Sequence, residues 1–188
     1  MRRLILPLLA AVPLLAGCNP YMAAIGVATQ TYDAATDPRS LATQASDTEV
    51  EARINGALLE SPVPGTSSLS ALCRRGVVVL SGVVPPGSDA GRAAVEIARN
   101  TSGVRRVETF FVRAQPSKTT DFELASQVKA AFVADPNVVA DDVDVRVYAG
   151  NVVLIGVVSS SSQKERFVDD AFAVSGVVSV HSYIQVRS

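Results

Sequence analysis

Apolar residues recur at every fourth position in two stretches of the chain that lie 74 residues apart. The two series are Val50, Ile54 and Leu58, and then Leu124, Val128 and Phe132. A spacing of four places apolar side chains on one face of a helix, so both stretches predict amphipathic helices. Asp47 and Asp121 precede the two series at the same offset, and we expect each to cap the N-terminus of its helix.

Alternating apolar and polar residues follow each predicted helix. The apolar positions are Leu69, Ala71 and Cys73 in the first stretch and Val143, Val145 and Val147 in the second. A period of two predicts a strand with one buried face. Cys73 shares that face with positions that are valine in the other stretch, so a small buried hydrophobe is favoured over a reactive thiol.

The strongest internal match comes next, with residues 76–84 aligned to residues 150–158. Gly76 and Gly150 predict hairpin turns, since glycine adopts positive φ without steric cost. A polar break, a second helix and a last strand complete each copy. The predicted fold class is α+β, with two tandem αββαβ units that each pack a three-stranded mixed sheet on two helices. Pairing of the units would add burial that a domain of about 70 residues lacks alone.

The N-terminus has the pattern of a signal segment. Arg2 and Arg3 precede an uncharged apolar run over residues 4–16, which is too short to span a bilayer. The run ends in Leu-Ala-Gly-Cys18, which resembles the lipobox of bacterial lipoprotein precursors. We therefore expect residues 1–17 to form a lipoprotein signal peptide.

Acylation of Cys18 would anchor the protein to a membrane, because two or three acyl chains hold nearly irreversibly. The resemblance also implies that Asn19, after the cysteine, directs the protein to the outer membrane, facing the periplasm. We expect residues 18–46 to form a tether.

The charge distribution narrows the range of partners. The formal net charge is −1, which argues against a nucleic-acid partner. Residues 47–114 carry a net charge of +1, and residues 121–188 carry −4.

With Cys18 acylated, Cys73 has no second cysteine for an intrachain disulfide.

Together these features resemble the BON domain, the bacterial osmotic-stress and nodulation module, in two copies. The glycine-flanked apolar strand, the Ser-Gly-Val before the last strand and the order αββαβ carry the resemblance. The copies would span residues 47–114 and 121–188, with a linker at 115–120. Nearly the whole chain, including the lipobox and residues 35–40, is similar to dual-BON outer-membrane lipoproteins. That similarity implies a non-catalytic protein that supports envelope integrity under stress.

The resemblance also implies that the first helix of the second unit and its adjoining loops touch anionic phospholipid. The residues expected there are Phe122, Glu123, Gln127, Lys129, Val177 and Val178. Glu123 departs from a relative with an aromatic residue at this position, and a carboxylate is repelled by lipid phosphate. Phe122, the neighbouring residue, would insert into the membrane in place of that aromatic residue.

A second candidate site follows from the predicted topology of the first unit. The hairpin, the link before the last strand and the N-terminus of the first helix should meet at one end of each unit. In the first unit this end gathers Arg74, Arg75, Arg105 and Arg106. Four arginines near a helix N-terminus would attract anionic head groups, and the alternative interpretation is solubilising charge on loops.

Catalytic and metal-binding patterns find little support. His181 is the single histidine, expected on the solvent-facing side of the last strand, and Cys73 lies in the other unit. Asp141, Asp142 and Asp144 lack the glycine and the distal glutamate of a calcium-binding loop. We therefore expect no enzymatic activity, no metal and no cofactor.

The sequence thus predicts a lipid-anchored, periplasm-facing protein that binds anionic phospholipid. The alternative function is a protein-interaction module or adaptor for cell-wall remodelling or outer-membrane assembly factors. Such a partner could bind by adding a strand to an exposed sheet edge. The oligomeric state stays open.

Overall fold

The structure is a computed structural model that describes residues 40–113 and 118–187. Unit 1 comprises α1 (Leu41–Glu60), β1 (Leu69–Arg74), β2 (Val77–Val83), α2 (Ala90–Arg99) and β3 (Arg106–Val112). Unit 2 comprises α3 (Lys118–Ala134), β4 (Val143–Tyr148), β5 (Asn151–Val158), α4 (Ser161–Ala173) and β6 (Ser179–Val186). Short 3₁₀ turns, Thr66–Ser68 and Ala140–Asp142, precede β1 and β4. The expected signal peptide and Cys18 lie outside the described residues.

Each unit contains one three-stranded sheet, ordered β1-β2-β3 in unit 1 and β4-β5-β6 in unit 2. The first two strands of each sheet are antiparallel and joined by a tight hairpin. The third strand lies parallel to the middle strand. The predicted α+β class, with two tandem units and mixed sheets, is confirmed.

The first helix of each unit begins earlier than the sequence predicts. Ser40 is the N-cap of α1, because its Oγ accepts a hydrogen bond from the Thr43 amide at 3.2 Å. Asp47 therefore lies well inside α1, and Asp121 lies in the first turn of α3. The prediction that these aspartates are N-caps is wrong, since both carboxylates bind hairpin amides instead. Residues 41–46, which the sequence assigns to the tether, are helical.

Each unit buries its own core between its helices and one face of its sheet. In unit 1 the apolar series of α1 packs on Leu69, Ala71 and Cys73. In unit 2 the matching series of α3 packs on the three inward valines of β4. The predicted amphipathic helices and half-buried strands are confirmed.

The opposite faces of the two sheets pack against each other. Four buried side chains fill this interface: Leu72, Val79, Val153 and Ile155. Three aromatic side chains surround them: Phe110, Tyr148 and Tyr183. The molecule therefore has four layers, in the order helices, sheet, sheet, helices. The middle strands β2 and β5 are covered on both faces, which explains their nearly continuous apolar sequence.

The two units stack head to tail. Arg74, beside the hairpin of unit 1, forms an ion pair with Asp144 near the far end of β4. Tyr148, beside the hairpin of unit 2, has its hydroxyl 3.0 Å from the Ser81 Oγ, near the far end of β2. The two hairpins therefore lie at opposite ends of the molecule.

Candidate functional site

A carboxylate from the first helix holds the hairpin of unit 1. Arg75 and Gly76 form the turn with φ angles of 54° and 72°, a left-handed conformation that arginine rarely adopts. Asp47 accepts hydrogen bonds from the Arg75 amide at 2.7 Å and from the Gly76 amide at 2.9 Å. These bonds stabilise the turn, because each buried amide would otherwise lack a partner.

Unit 2 repeats this arrangement. Ala149 and Gly150 form its turn with φ angles of 51° and 78°. Asp121 accepts hydrogen bonds from their amides at 2.9 and 3.1 Å. The two glycines are hairpin residues, as predicted, and the two aspartates at equal offset hold the turns.

The link before the last strand joins the hairpin of unit 1. The Gly76 carbonyl accepts hydrogen bonds from the amides of Arg105 and Arg106 at 2.8 and 3.3 Å. The predicted meeting of hairpin and link at one end is confirmed. The N-terminus of α1, also expected there, does not join them, because α1 begins at Leu41 and contacts the hairpin through Asp47. A pocket of about 380 Å³ lies here, and we call it the arginine pocket. Its lining residues are Arg75, Val77, Arg105, Arg106 and, from unit 2, Gln185.

Arg74 does not belong to this pocket. Its guanidinium forms ion pairs with Glu51 at 2.6 Å and with Asp144 of unit 2. The side chain is only 16% exposed. Two carboxylates therefore offset the charge of Arg74, and its side chain lies at the interface between the units.

The other three arginines remain accessible. Arg105 and Arg106 are exposed, and Arg75 is half-buried. Arg106 also forms an ion pair with Glu108 at 3.0 Å. Within the described ranges, Arg75 and Arg105 form no ion pair. The arginine pocket therefore has an excess of positive charge.

The hairpin end of unit 2 is apolar instead. Phe122 and Val178 are 73% and 69% exposed, and the Val178 amide donates to the hairpin glycine at 2.8 Å. Val177 is half-buried against the core. Glu123 and Gln127 are exposed along α3. Val178 thus lies beside the hairpin of unit 2, and Phe122 follows Asp121, the residue that binds the hairpin amides, with the Glu123 carboxylate next to it.

A second cavity, which we call the edge cleft, lies between the two units and has a volume of about 760 Å³. One face of α3 and part of β4 form one side, and the 3₁₀ turn before β1 and the end of β2 of unit 1 form the other. From unit 2 the lining residues are Asp121, Phe122, Ala125, Ser126, Lys129, Val145, Arg146, Val147 and Tyr148. From unit 1 they are Ser67, Ser68, Val83 and Pro85. Phe122 and Lys129, both predicted site residues, therefore line this cleft.

Sequence reasoning missed two residues of α1 that bind the outer edge of β1. The Asn55 amide group donates to the Ala71 carbonyl at 3.1 Å and accepts from the Ala71 amide at 2.8 Å. Glu51 accepts from the Cys73 amide at 2.7 Å. The repeat offers a signal for them, because the positions 74 residues later hold Ala125 and Lys129, which cannot make the same hydrogen bonds.

Cys73 is fully buried, and its thiol donates a hydrogen bond to the Asp47 Oδ1 at 3.3 Å. Burial, and then the charge of Asp47, raises the pKa of the Cys73 thiol to about 12. The raised pKa favours the protonated thiol at neutral pH. The prediction that Cys73 is a small buried side chain is confirmed.

His181 is exposed on β6, as predicted, and its ring centre lies 4.5 Å from that of Phe110 in unit 1. Asp144, one of the three aspartates considered above for a calcium-binding loop, forms an ion pair with Arg74. Within residues 40–113 and 118–187, no group of three or more His, Cys, Asp or Glu side chains is placed to hold a metal ion.

Comparison with known families gives a match in both units. The model of the BON domain covers residues 46–114 and 120–188. The chain belongs to the BON-domain family. This BON-domain chain is 34% identical over 180 residues to outer membrane lipoprotein DolP of Haemophilus influenzae, covering 92% of this chain and 90% of the relative. It is 30% identical over 147 residues to osmotically-inducible protein Y of Escherichia coli, covering 75% and 73%.

Among solved structures, the C-terminal domain of CdsD, a structural protein of the type III secretion system of Chlamydia trachomatis, overlaps 76% of this chain. The match covers 67% of that chain, with a TM-score of 0.32 and 15% identity.

These comparisons confirm the predicted dual BON-domain organisation. Similarity to an outer membrane lipoprotein along nearly the full length of both chains supports the predicted outer-membrane location of this BON-domain chain. In the part of the chain that the structure describes, no helix is both long enough and apolar enough to cross a bilayer.

Proposed function

We propose that this BON-domain chain is a non-enzymatic, periplasm-facing outer-membrane lipoprotein that binds anionic phospholipid and supports envelope integrity. Acylated Cys18 anchors it, as the similarity to an outer membrane lipoprotein supports. The osmotically inducible relative supports a role under envelope stress.

The observation that carries lipid binding is the arginine pocket. Arg75, Arg105 and Arg106 converge on one concavity at one end of the molecule. A guanidinium group binds two phosphate oxygens at once. Several such groups around one concavity therefore favour a bound phosphate head group over arginines that only add solubilising charge to loops. Each basic residue near an anionic surface contributes about 1 kcal/mol.

The matching end of unit 2 is a poorer anion site. Residues 121–188 carry a net charge of −4, and Glu123 stands exposed beside Phe122. Because the two hairpins lie at opposite ends, one flat bilayer cannot contact both ends at once. We therefore assign the head group to unit 1 and keep the α3 surface as the second candidate.

Vesicle sedimentation tests this assignment with residues 18–188 carrying Cys18→Ser, so that no acyl chain masks the result. Arg75→Glu with Arg105→Glu should weaken binding to phosphatidylglycerol vesicles, because two contacts of about 1 kcal/mol each correspond to about 30-fold in affinity. Zwitterionic vesicles should bind weakly throughout.

The matched control is Arg92→Glu with Arg113→Glu, which makes the same charge change at the far end of unit 1. This pair should retain most of the binding. Equal loss in both pairs, or no loss in either, contradicts the assignment. Loss with Phe122→Ala alone would move the site to α3.

A further inference from the structure

The outer edge of the sheet is closed in unit 1. β1 is an edge strand, and alternate residues of an antiparallel strand direct their amide and carbonyl groups away from the partner strand. Ala71 and Cys73 are such residues, and they are the ones bound by Asn55 and Glu51. Side chains of α1 therefore occupy hydrogen-bonding groups that another strand could use.

The same edge is open in unit 2. β4 pairs with β5 in the register that β1 has with β2, so Val145 and Val147 direct their amides outward. The helix positions that correspond to Glu51 and Asn55 hold Ala125 and Lys129. Neither can accept a hydrogen bond from an amide, because alanine has no polar group and lysine only donates.

Among the residues that the structure describes, no other side chain accepts a hydrogen bond from the outward amides of this edge, although one binds an outward carbonyl. The Val145 carbonyl accepts a hydrogen bond from Arg146 at 3.3 Å. The amides of Val145 and Val147 bind no side chain in the described ranges. An uncovered edge of this kind is a template for pairing with another polypeptide.

The open edge lines the edge cleft. The cleft volume of about 760 Å³ lies within the range of ligand sites, roughly 300–1,000 Å³. Phe122 and Ala125 supply apolar surface, and Lys129 and Arg146 supply positive charge. The one carboxylate among the lining residues, Asp121, is occupied by the hairpin amides. This charge balance favours an acidic ligand.

We propose that the edge cleft binds an extended polypeptide segment of a partner protein, with alternating apolar and acidic side chains, as a fourth strand beside β4. The segment's backbone pairs with the outward groups of Val145 and Val147. Its apolar side chains contact Phe122, and its carboxylates meet Lys129 and Arg146. The site is separate from the arginine pocket, so this proposal does not depend on lipid binding there.

Peptide titration followed by NMR tests the proposal on residues 18–188 with Cys18→Ser. The probe is an acetylated nonapeptide of alternating valine and glutamate. It should shift the signals of residues 145–148 and slow hydrogen exchange of the Val145 and Val147 amides. A valine–lysine peptide, and a valine–glutamate peptide with alternate amides N-methylated, should bind at least about tenfold more weakly, which corresponds to about 1.4 kcal/mol.

A variant that copies the closed edge of unit 1 into unit 2 provides the decisive comparison. Ala125→Glu with Lys129→Asn should reduce peptide affinity at least about tenfold. Lys129→Gln, which removes the charge without supplying the Ala125 carboxylate, is the control. It should cause a smaller loss and should keep the fold intact.

Three results overturn the proposal. The first is a failure to discriminate: either the acidic and basic peptides bind the wild type equally well, or the acidic peptide binds the wild type and the closed-edge variant equally well. The second is protection of Val145 and Val147 by anionic vesicles but not by the peptide, which would make the cleft a lipid site. The third is peptide binding only after deletion of residues 19–39, which would make the chain's own tether the occupant.

Discussion

A single side chain, Asp47, joins the hairpin of unit 1 to its core. Its carboxylate accepts hydrogen bonds from the amides of Arg75 and Gly76 and from the Cys73 thiol. Ionisation of Cys73 would place a second negative charge beside this buried carboxylate. The corresponding residue of unit 2, Val147, has no ionisable group. The coupling of turn and core through a thiol therefore belongs to unit 1 alone.

The raised pKa of Cys73 predicts a loss of stability in alkaline solution. The unfolded thiol ionises near its ordinary pKa of 9.0, and the folded thiol ionises at about 12. The contribution is fully present below pH 9.0 and is lost as the pH rises from there towards about 12. The free energy of unfolding should fall by up to about 1.4 kcal/mol per pH unit in this window.

Denaturant titrations of the wild type and of Cys73→Val at several pH values check this. Valine cannot ionise, so the variant should show the shallower decline. If the free energy of unfolding declined equally with pH in the two proteins, the alkaline loss of stability could not be assigned to Cys73.

Each hairpin depends on a side chain from outside it. Both turns place a residue other than glycine at positive φ, and in both an aspartate of the preceding helix binds the two turn amides. The hairpin in turn positions the loop residues around it. In unit 1 these are Arg105 and Arg106, and in unit 2 the corresponding residue is Val178. The same backbone thus presents two different surfaces.

Asp121→Ala should lower the free energy of unfolding by about 1–3 kcal/mol, because two turn amides lose their acceptor. Chemical denaturation measures the change. Asp169→Ala makes the same substitution at an exposed position of α4 and should change stability by less than about 0.5 kcal/mol. Similar values for the two variants would show that Asp121 does not hold the turn.

At the scale of the whole molecule, the sheet-to-sheet interface joins two units that are each marginal in size. Polar contacts frame its apolar centre. The Tyr183 hydroxyl donates to the Thr109 carbonyl at 3.0 Å, and the Gln185 side chain donates to the Arg74 carbonyl at 2.7 Å. We therefore expect the units to unfold together in a single cooperative transition.

Val153→Asp should separate that transition into two. Val153 is fully buried and belongs to the interface cluster, so a carboxylate there opposes docking of the units. Thermal unfolding by circular dichroism and amide exchange in unit 1 measure the effect, and unit 1 should lose protection although the change lies in unit 2. Val133→Asp, at a position 75% exposed, should leave one transition. A single, unshifted transition for Val153→Asp would contradict the role of the interface.

Part of the candidate site was predictable because it follows from local topology. The hairpin and the link before β3 must meet once the order αββαβ is known, so the clustering of Arg75, Arg105 and Arg106 could be inferred. The role of Arg74 could not, because its partner Asp144 lies in the other unit. Closure of the β1 edge by Asn55 and Glu51 also escaped prediction, since it depends on how a helix lies beside a strand.

The hydrophobic pattern along the chain was enough to define the two repeated units, their element order and the residues of each core. Periods of four and two report burial within a helix or a strand, and they need no knowledge of distant partners. The head-to-tail packing of the two outer sheet faces is evident only in the folded molecule. Each outer face mixes apolar and polar residues, so its pattern allows solvent or a second sheet. Contacts between residues far apart in the chain, such as Ser81 and Tyr148, favour packing against the second sheet over exposure to solvent.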